Sequence, residues 1–242
     1  MKYDDRNSLG GRMKQNYESV FKYKLPERMP VIIRLDGKAF HTLTAKAEKP
    51  FDNYFIEMMN GTAKYLCEQI QGVQLAYIQS DEISLLLHNY KNLNSQSWFN
   101  NEIQKMCSIS AGLASSFFTL NYNYELNLFE NKRYVQFDSC CFVLPENEVT
   151  NYFIWRQKDW GRNSIQMLAQ SLYSHKELQE KNNSELQEMC WYKGKNWNDI
   201  ETSLKRGRCC VFGSQWNIDN DIPIFTQDRN YIDEYLKVEA ED

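Results

Sequence analysis

Apolar positions along the chain fall into alternating segments of two periods. Val31-Ile32-Ile33-Arg34-Leu35-Asp36 is continuous and β-branched, which predicts a buried strand that Gly37 stops. Pro50-Phe51-Asp52 opens a helix with Asp52 as its N-cap. Phe55, Met59, Ala63, Leu66 and Ile70 follow at three- and four-residue steps, and Gly72 ends the run. Val73, Leu75 and Tyr77, then Ile83, Leu85 and Leu87, alternate with their neighbours, predicting strands over 73–79 and 82–89 joined by the tight link Gln79-Ser80-Asp81. A second helix is predicted from about Trp98 to Leu120, with Met106, Ile109, Leu113 and Phe117 on one face and a small-residue stretch over 108–116 that permits close packing on a sheet. Tyr134 to Leu144 reads as a further strand. After Pro145 the pattern is helical to about Ser174, then polar to Glu188, with a last strand over Cys209 to Phe212.

The order is β-α-β-β-α-β, which makes the chain an α+β protein with a ferredoxin-type antiparallel sheet and helices on one face. Three regions follow: a polar, net basic arm over 1–30, a core over 31–144, and a mostly helical C-terminal appendage with an acidic tail over 145–242. In this topology the first and third strands are antiparallel neighbours. Asp36 ends the first and Asp81 begins the third, so two carboxylates 45 residues apart are expected to meet at one edge of the sheet.

Composition sharpens this picture in two places. The chain has 242 residues with 42% hydrophobic and 25% charged, which suits a globular domain that needs no disulfide or metal to fold. It has no run of 18 apolar residues, and Met1 to Gly11 lacks the apolar centre of a signal peptide, so neither a membrane span nor a secretory leader is expected. The seven cysteines include no CxxC pair, which argues against a zinc site and for a reducing, cytoplasmic setting. The net charge of −4 comes from the last 26 residues, which hold eight acids and two bases; the remainder is +2. An acidic total therefore does not exclude RNA, and the question becomes where the bases cluster.

Two aspartates at a sheet edge beside a glycine suit Mg²⁺, which takes a few carboxylates together with substrate phosphates. Two such ions can stabilise both the attacking and the leaving oxygen of a phosphoryl displacement. The turn Gly37-Lys38-Ala39-Phe40-His41 offers backbone amides for a triphosphate, and Lys49 and Lys105 offer charge. Asp before Gly at a strand end, and Ser-Asp in a hairpin, are equally ordinary turn chemistry, so spacing alone leaves both readings open. The usual nucleotide loops, GxxxxGK[ST] and GxGxxG, are missing, as is the GxSxG motif of nucleophilic hydrolases.

The residues themselves resemble a known family. Arg34-Leu35-Asp36-Gly37-Lys38-Ala39-Phe40-His41, Lys49-Pro50-Phe51-Asp52 and Gln79-Ser80-Asp81-Glu82 are similar, in order and spacing, to the tRNA-His guanylyltransferase superfamily of 3′-to-5′ nucleotide polymerases. The likeness extends to Lys105 with Ala114-Ser115-Ser116, to Phe137-Asp138 and to Trp155-Arg156-Gln157, covering roughly residues 30–160. It implies a palm-like catalytic core. It implies two Mg²⁺ held by Asp36, the carbonyl of Gly37 and Asp81, with Asp36, Asp81 and Glu82 as the catalytic carboxylates. It implies that residues 36–41 with Ser80 and Asp81 hold a nucleoside triphosphate (ATP or GTP), supported by Lys49 and Lys105. The implied reaction activates a tRNA 5′-monophosphate with ATP, adds a nucleotide through its 3′-hydroxyl, and removes pyrophosphate. The resemblance also implies a homo-tetramer.

Two departures decide which branch is expected. The family's HINNLY-type segment is Gly161-Arg162-Asn163-Ser164-Ile165-Gln166 here, and its FDGR is Phe137-Asp138-Ser139-Cys140. Both resemble the guanylyltransferase-like proteins that add nucleotides by Watson–Crick templating to 5′-truncated tRNA, so tRNA 5′-end repair is the expected function. The alternatives are untemplated G addition to tRNA-His, a palm-type nucleotide cyclase using the same aspartates, and a non-catalytic RNA-binding module. For RNA contact the candidates are Lys14, Lys22 and Lys24 of the arm, and Arg162, Lys205, Arg206 and Arg208.

Overall fold

The computed structural model describes residues 8–92, 94–126 and 133–237; the acids Glu239, Glu241 and Asp242 of the expected tail, and residues 1–7 of the arm, lie outside them. Six strands, β1 Val31–Gly37, β2 Val73–Gln79, β3 Glu82–Leu87, β4 Phe137–Val143, β5 Arg208–Phe212 and β6 Trp216–Asp219, form one sheet in the order β4-β1-β3-β2-β5-β6. Every neighbouring pair is antiparallel. The four longer helices are α1 Asn53–Gln69, α2 Ile103–Glu125, α3 Glu146–Leu172 and α4 Asn183–Tyr192. A short helix, α5 Thr202–Arg206, leads into β5. Among the described residues, no helix is long and apolar enough to cross a membrane.

The expected β-α-β-β-α-β order is present. Helices, however, cover both faces of the sheet. On one face Ile33, Leu35, Ile83, Leu85, Ala76 and Ile78 pack with Met59, Ala63 and Leu66 of α1 and with Met106, Ala114 and Phe118 of α2. On the other, Ile32, Leu75, Tyr77, Leu86 and Cys209 pack with Val149 and Phe153 of α3 and with Ile222, Phe225 and Ile232. The C-terminal region is thus built into the same body: α3 roofs the second face, and β5 pairs with β2. This explains why β1, β2 and β3 read as near-continuous apolar runs, since both faces of these strands are covered.

Local rules account for the helix positions. Asp52 caps α1, its carboxylate accepting from the Phe55 amide at 2.8 Å. In α2 the buried stripe is Met106, Ser110, Ala114 and Phe118, one residue on from the expected Ile109-Leu113-Phe117 stripe, and Ile109 is left 43% exposed. The small residues decide this rotation. The Ser110 and Ser139 hydroxyls lie 2.8 Å apart, and Ser115 Oγ accepts from the Phe137 amide at 2.9 Å, so α2 lies close against β4.

Gly207, between α5 and β5, is held at φ 79°, and a Cβ there would lie 2.6 Å from Tyr77 Oη and 2.8 Å from the Ile78 carbonyl oxygen. Tyr77 is fully buried and donates its hydroxyl to the Arg206 carbonyl at 2.8 Å. Gly194 has a similar φ of 75° but open space around it. Gly207→Ala is therefore expected to cost roughly 3 kcal/mol, from backbone strain plus overpacking, and Gly194→Ala about 1 kcal/mol. Urea unfolding of the two variants checks this, and equal losses would remove the packing argument.

Candidate active site

The site grows from the end of β1. Asp36 pairs with Glu82 on β3 and with Asp138 on β4, and direct partners in an antiparallel sheet share a face. Three carboxyl side chains therefore stand in a row on the face that α3 covers. Asp81 enters from the β2–β3 turn, where Ser80 takes φ 45° so that two residues suffice to reverse the chain. The Gly37 amide donates to the Asp81 carbonyl at 3.0 Å, which ties the two aspartate-bearing turns together. The meeting of Asp36 and Asp81 that the topology predicted is thus a property of the sheet register.

The turn after Asp36 is anchored by one ring. Ala39 at φ 58° starts the short helix Phe40–Leu43, and Phe40 is buried edge-on against Phe55, Phe118 and Phe137 at 5.8, 5.3 and 5.1 Å. The ring lies over Gly37, where a Cβ would come within 2.3 Å of it, so glycine is required there by close approach. Phe40 accordingly serves the expected nucleotide turn as a foundation. Lys38, Ala39 and His41 stay exposed, and Lys38 Nζ donates to Gln136 Oε1 at 3.1 Å. Beside this turn lies a cavity of about 260 Å³ whose lining includes His41, Lys49, Asp52, Ser80 and Asp81, with Phe40 and Phe55 behind them and Met167 of α3 at its edge.

Charge is unevenly balanced across the cluster. Glu82 is buried and gripped by Arg156 of α3 through paired 2.8 Å bonds from Nε and Nη2, with Gln79 Nε2 donating at 3.2 Å. Burial pushes the Glu82 carboxyl up, while the Arg156 fork pulls it down. Arg156 also reaches Asp159 and lies over the Trp155 ring at 4.5 Å. Asp36 has no such partner. Burial raises its pKa to about 6, with Asp81, Asp138 and Glu82 adding to the shift and Arg34 opposing it. Asp81 is also raised by burial, opposed by the Ser80 hydroxyl and His41. The donors are hard carboxylate oxygens, and desolvation together with neighbouring like charges disfavours the ionised form of Asp36, which is the environment a divalent cation relieves. Among the described residues, no three acidic, histidine or cysteine side chains form a complete metal cage.

Four expected site residues stand elsewhere or in other roles. Lys105 does not join the cavity. α2 runs antiparallel to β4, so Lys105 sits about 15 Å along the helix from Ser115, the residue level with Phe137, and its ammonium lies 3.4 Å from Glu102. Arg208 is 2% exposed, its Nε donating to Asn60 Oδ1 of α1 at 2.7 Å, and burial lowers its pKa to about 10. It is a core residue. The basic run at 205–208 looks like a surface patch, but its last member begins β5 and points inward beneath Ile78. Arg162 is paired with Asp159. Glu82 is tied up by Arg156, so it positions the neighbouring strand end and offers no open coordination. Two residues were left without a role by sequence reasoning, Asp138 and Arg156. Period-two alternation places Asp138 opposite Asp36 once the β1–β4 register is known.

A six-stranded antiparallel α+β sheet with a palm-like core, and carboxylates clustered where β1 ends beside β3 and β4, defines the class of this protein. The family description "tRNAHis guanylyltransferase" matches residues 10–145, more than half of the chain, and the chain belongs to that family. It superposes with a TM-score of 0.91 on a bacterial tRNA(His) guanylyltransferase-like protein in complex with ATP, at 44% identity over 96% of this chain and all of that one. A bacterial guanylyltransferase-like protein in complex with GTP gives 0.82 at 40% identity, again over 96% of this chain and all of that one. Among curated relatives, the tRNA(His) guanylyltransferase of Debaryomyces hansenii is 36% identical over 144 residues, 56% of this chain and 51% of that protein. A probable tRNA(His) guanylyltransferase of Dictyostelium discoideum is 29% identical over 156 residues, 62% of this chain and 59% of that one. The chain thus spans between half and six tenths of the length of these two relatives.

The raised Asp36 carboxyl has a consequence for the metal-free protein. Below about pH 4 the group is protonated both folded and unfolded and costs nothing. The penalty for ionising it in the fold grows between pH 4 and about 6, and is complete above that. Asp36→Asn is therefore expected to match wild type at pH 4 and to melt higher at pH 7.5. Thermal unfolding in a chelator across this range checks it, and a variant less stable at pH 7.5 contradicts the raised Asp36 carboxyl.

Proposed function

We propose that this chain is a nucleotidyltransferase that extends the 5′ end of a truncated tRNA in the 3′-to-5′ direction, following the template base opposite. The carrying observation is the cavity in which His41, Lys49, Ser80 and Asp81 converge beside Asp36, in a chain superposing closely on similar proteins in complex with ATP and with GTP. A nucleoside triphosphate in this cavity would set its phosphates beside His41 and the Lys49 ammonium, where charge on the phosphoryl oxygens is offset. Ser80 and Asp81 border the same space from the hairpin side.

Asp36 and Asp81, with the Gly37 backbone, would hold Mg²⁺ at the open end of β1. When bound, Mg²⁺ supplies charge stabilisation to the attacking and leaving oxygens. The chain's own contributions are geometric. The sheet register fixes Asp36 against Asp81. The Arg156–Glu82 pair neutralises the one carboxylate that is buried. Phe40 anchors the turn that carries His41 to the cavity. Activation of a tRNA 5′-phosphate by ATP, followed by attack of an incoming nucleotide's 3′-hydroxyl, requires these groups to accommodate two nucleotide states in turn. A homo-oligomer is part of the proposal; Leu9, Met13, Tyr17 and Phe21 form an exposed apolar stripe along the N-terminal segment that supports self-association. A cytoplasmic setting is also part of it, supported by seven free cysteines.

The names of the curated relatives favour a second reading, untemplated G addition to tRNA-His. The absent histidine and tyrosine around Gly161-Arg162-Asn163-Ser164 favour templated repair. A 5′-monophosphorylated tRNA lacking one or two 5′ nucleotides, incubated with ATP, Mg²⁺ and all four triphosphates, separates them. Extension that tracks the opposing base, and that falls by at least ~100-fold in Asp36→Ala and Asp81→Ala, is expected. G added only to full-length tRNA-His would transfer the chain to the second reading. A cyclic product from a triphosphate alone would make it a cyclase, and no addition under any condition would leave a binding module.

A further inference from the structure

α3 carries a second, unassigned flank. Gln157, Lys158 and Gly161 of this helix, with Trp197 and with Lys205 and Arg206 of α5, border a cavity of about 250 Å³. Lys158, Lys205 and Arg206 all line it, and none of its lining residues is acidic. Lys205 Nζ donates to the Asn198 carbonyl, and Arg206 Nη1 to the Ile222 carbonyl at 3.0 Å, both neutral oxygens. Among the described residues, no carboxylate lies within ion-pair distance of any of the three. Arg162, on the same helix, shows the contrast, since Asp159 neutralises it.

Three uncompensated cations around one concavity are an arrangement that repels itself unless anions enter. It stands out in a chain whose formal net charge is −4. Trp197 adds direction. Its indole N–H donates to Ser164 Oγ at 2.9 Å and the ring packs partly against the cluster that includes Ile165 and Leu168, which fixes an aromatic side chain in the lining. The same helix supplies Arg156 to Glu82 beside Asp36, so groove and carboxylates occupy adjoining flanks of α3, separated by about a helix diameter of ~10 Å.

We infer that the Lys158–Lys205–Arg206 groove is a backbone-phosphate site for the RNA substrate, holding phosphodiesters next to the reacting 5′ end without reading sequence. This rests on the reading of the chain as a tRNA-extending enzyme. A free nucleoside triphosphate or pyrophosphate offers the same phosphate chemistry, and RNA is favoured because the groove is open, sits outside the nucleotide cavity and carries an aromatic side chain in its lining.

The test compares wild type, Lys158→Ala/Lys205→Met and Lys158→Glu, with Lys181→Ala as a control distant from the groove. Binding of a 5′-truncated, 5′-monophosphorylated tRNA is measured by fluorescence anisotropy from 50 to 300 mM KCl, alongside calorimetric titration with ATP and with pyrophosphate. Lys158 is exposed and its replacement leaves the fold intact, which circular dichroism verifies. The double variant is expected to bind RNA about tenfold more weakly near 150 mM salt, with the slope of log K against log salt reduced by about 1.5 and ATP affinity unchanged. Lys158→Glu is expected to act in the same direction, and Lys181→Ala to do nothing. Wild-type-like RNA affinity and slope in both groove variants, with wild type still extending tRNA, would overturn this inference alone. Weakened ATP or pyrophosphate binding with an unchanged RNA slope would overturn it in favour of a free phosphate compound. A wild type that binds no tRNA at any salt would sink the enzyme reading and this one together.

Discussion

The register of β1 between β3 and β4 is the constraint on which everything at the site depends. Ile33 and Leu35 point to one core, Ile32 to the other, and all three are fully buried. Each is worth roughly 2 kcal/mol of burial, and a one-residue slip would exchange both faces of the strand at once. The strand therefore has one place to end. That place sets Asp36 between Glu82 and Asp138, with the Asp81 turn hydrogen-bonded to Gly37. Like charges so arranged repel, and hydrophobic burial at a distance holds them together. Desolvation first, and repulsion from Asp81, Asp138 and Glu82 after it, raise the Asp36 pKa to about 6.

The carboxylates are then divided by α3. Arg156 reaches across from the helix and satisfies both oxygens of Glu82, the member that the sheet buries most completely. A buried carboxylate left without such a partner would be costly. Asp81 stays open toward the cavity that His41, Lys49 and Ser80 share, and Asp36 stands exposed at the end of β1 next to the Asp81 turn. The C-terminal region is thus part of the site, for without α3 the sheet would carry an unpaired buried acid and the cavity would lose its Met167 edge.

Much of this was legible in the sequence, for physical reasons. β-branched runs, the Asp52 cap and the Ser80-Asp81 turn each have a strong local signature, and the βαββαβ order follows from them. The nearness of Asp36 and Asp81 came from topology alone. What stayed hidden depends on packing between elements. The direction of α2 along β4 carries Lys105 away from the site, and no local pattern encodes that direction. The rotation of α2 is set by serines against β4, whereas hydrophobic spacing favoured Ile109. Arg208 belongs to a basic run, yet its place at the start of β5 turns it inward to Asn60. β6 is only Trp216–Asp219, too short and too polar to stand out before its pairing with β5 is seen.

The central claim is that Asp36 and Asp81 jointly hold a divalent cation at the end of β1. Crystals of the protein soaked in Mn²⁺ and an unreactive nucleoside triphosphate, measured for anomalous scattering, address it directly. The account predicts an anomalous peak between the two carboxylates, lost when either residue is replaced by asparagine. No peak there, or a peak that survives both replacements, would contradict it.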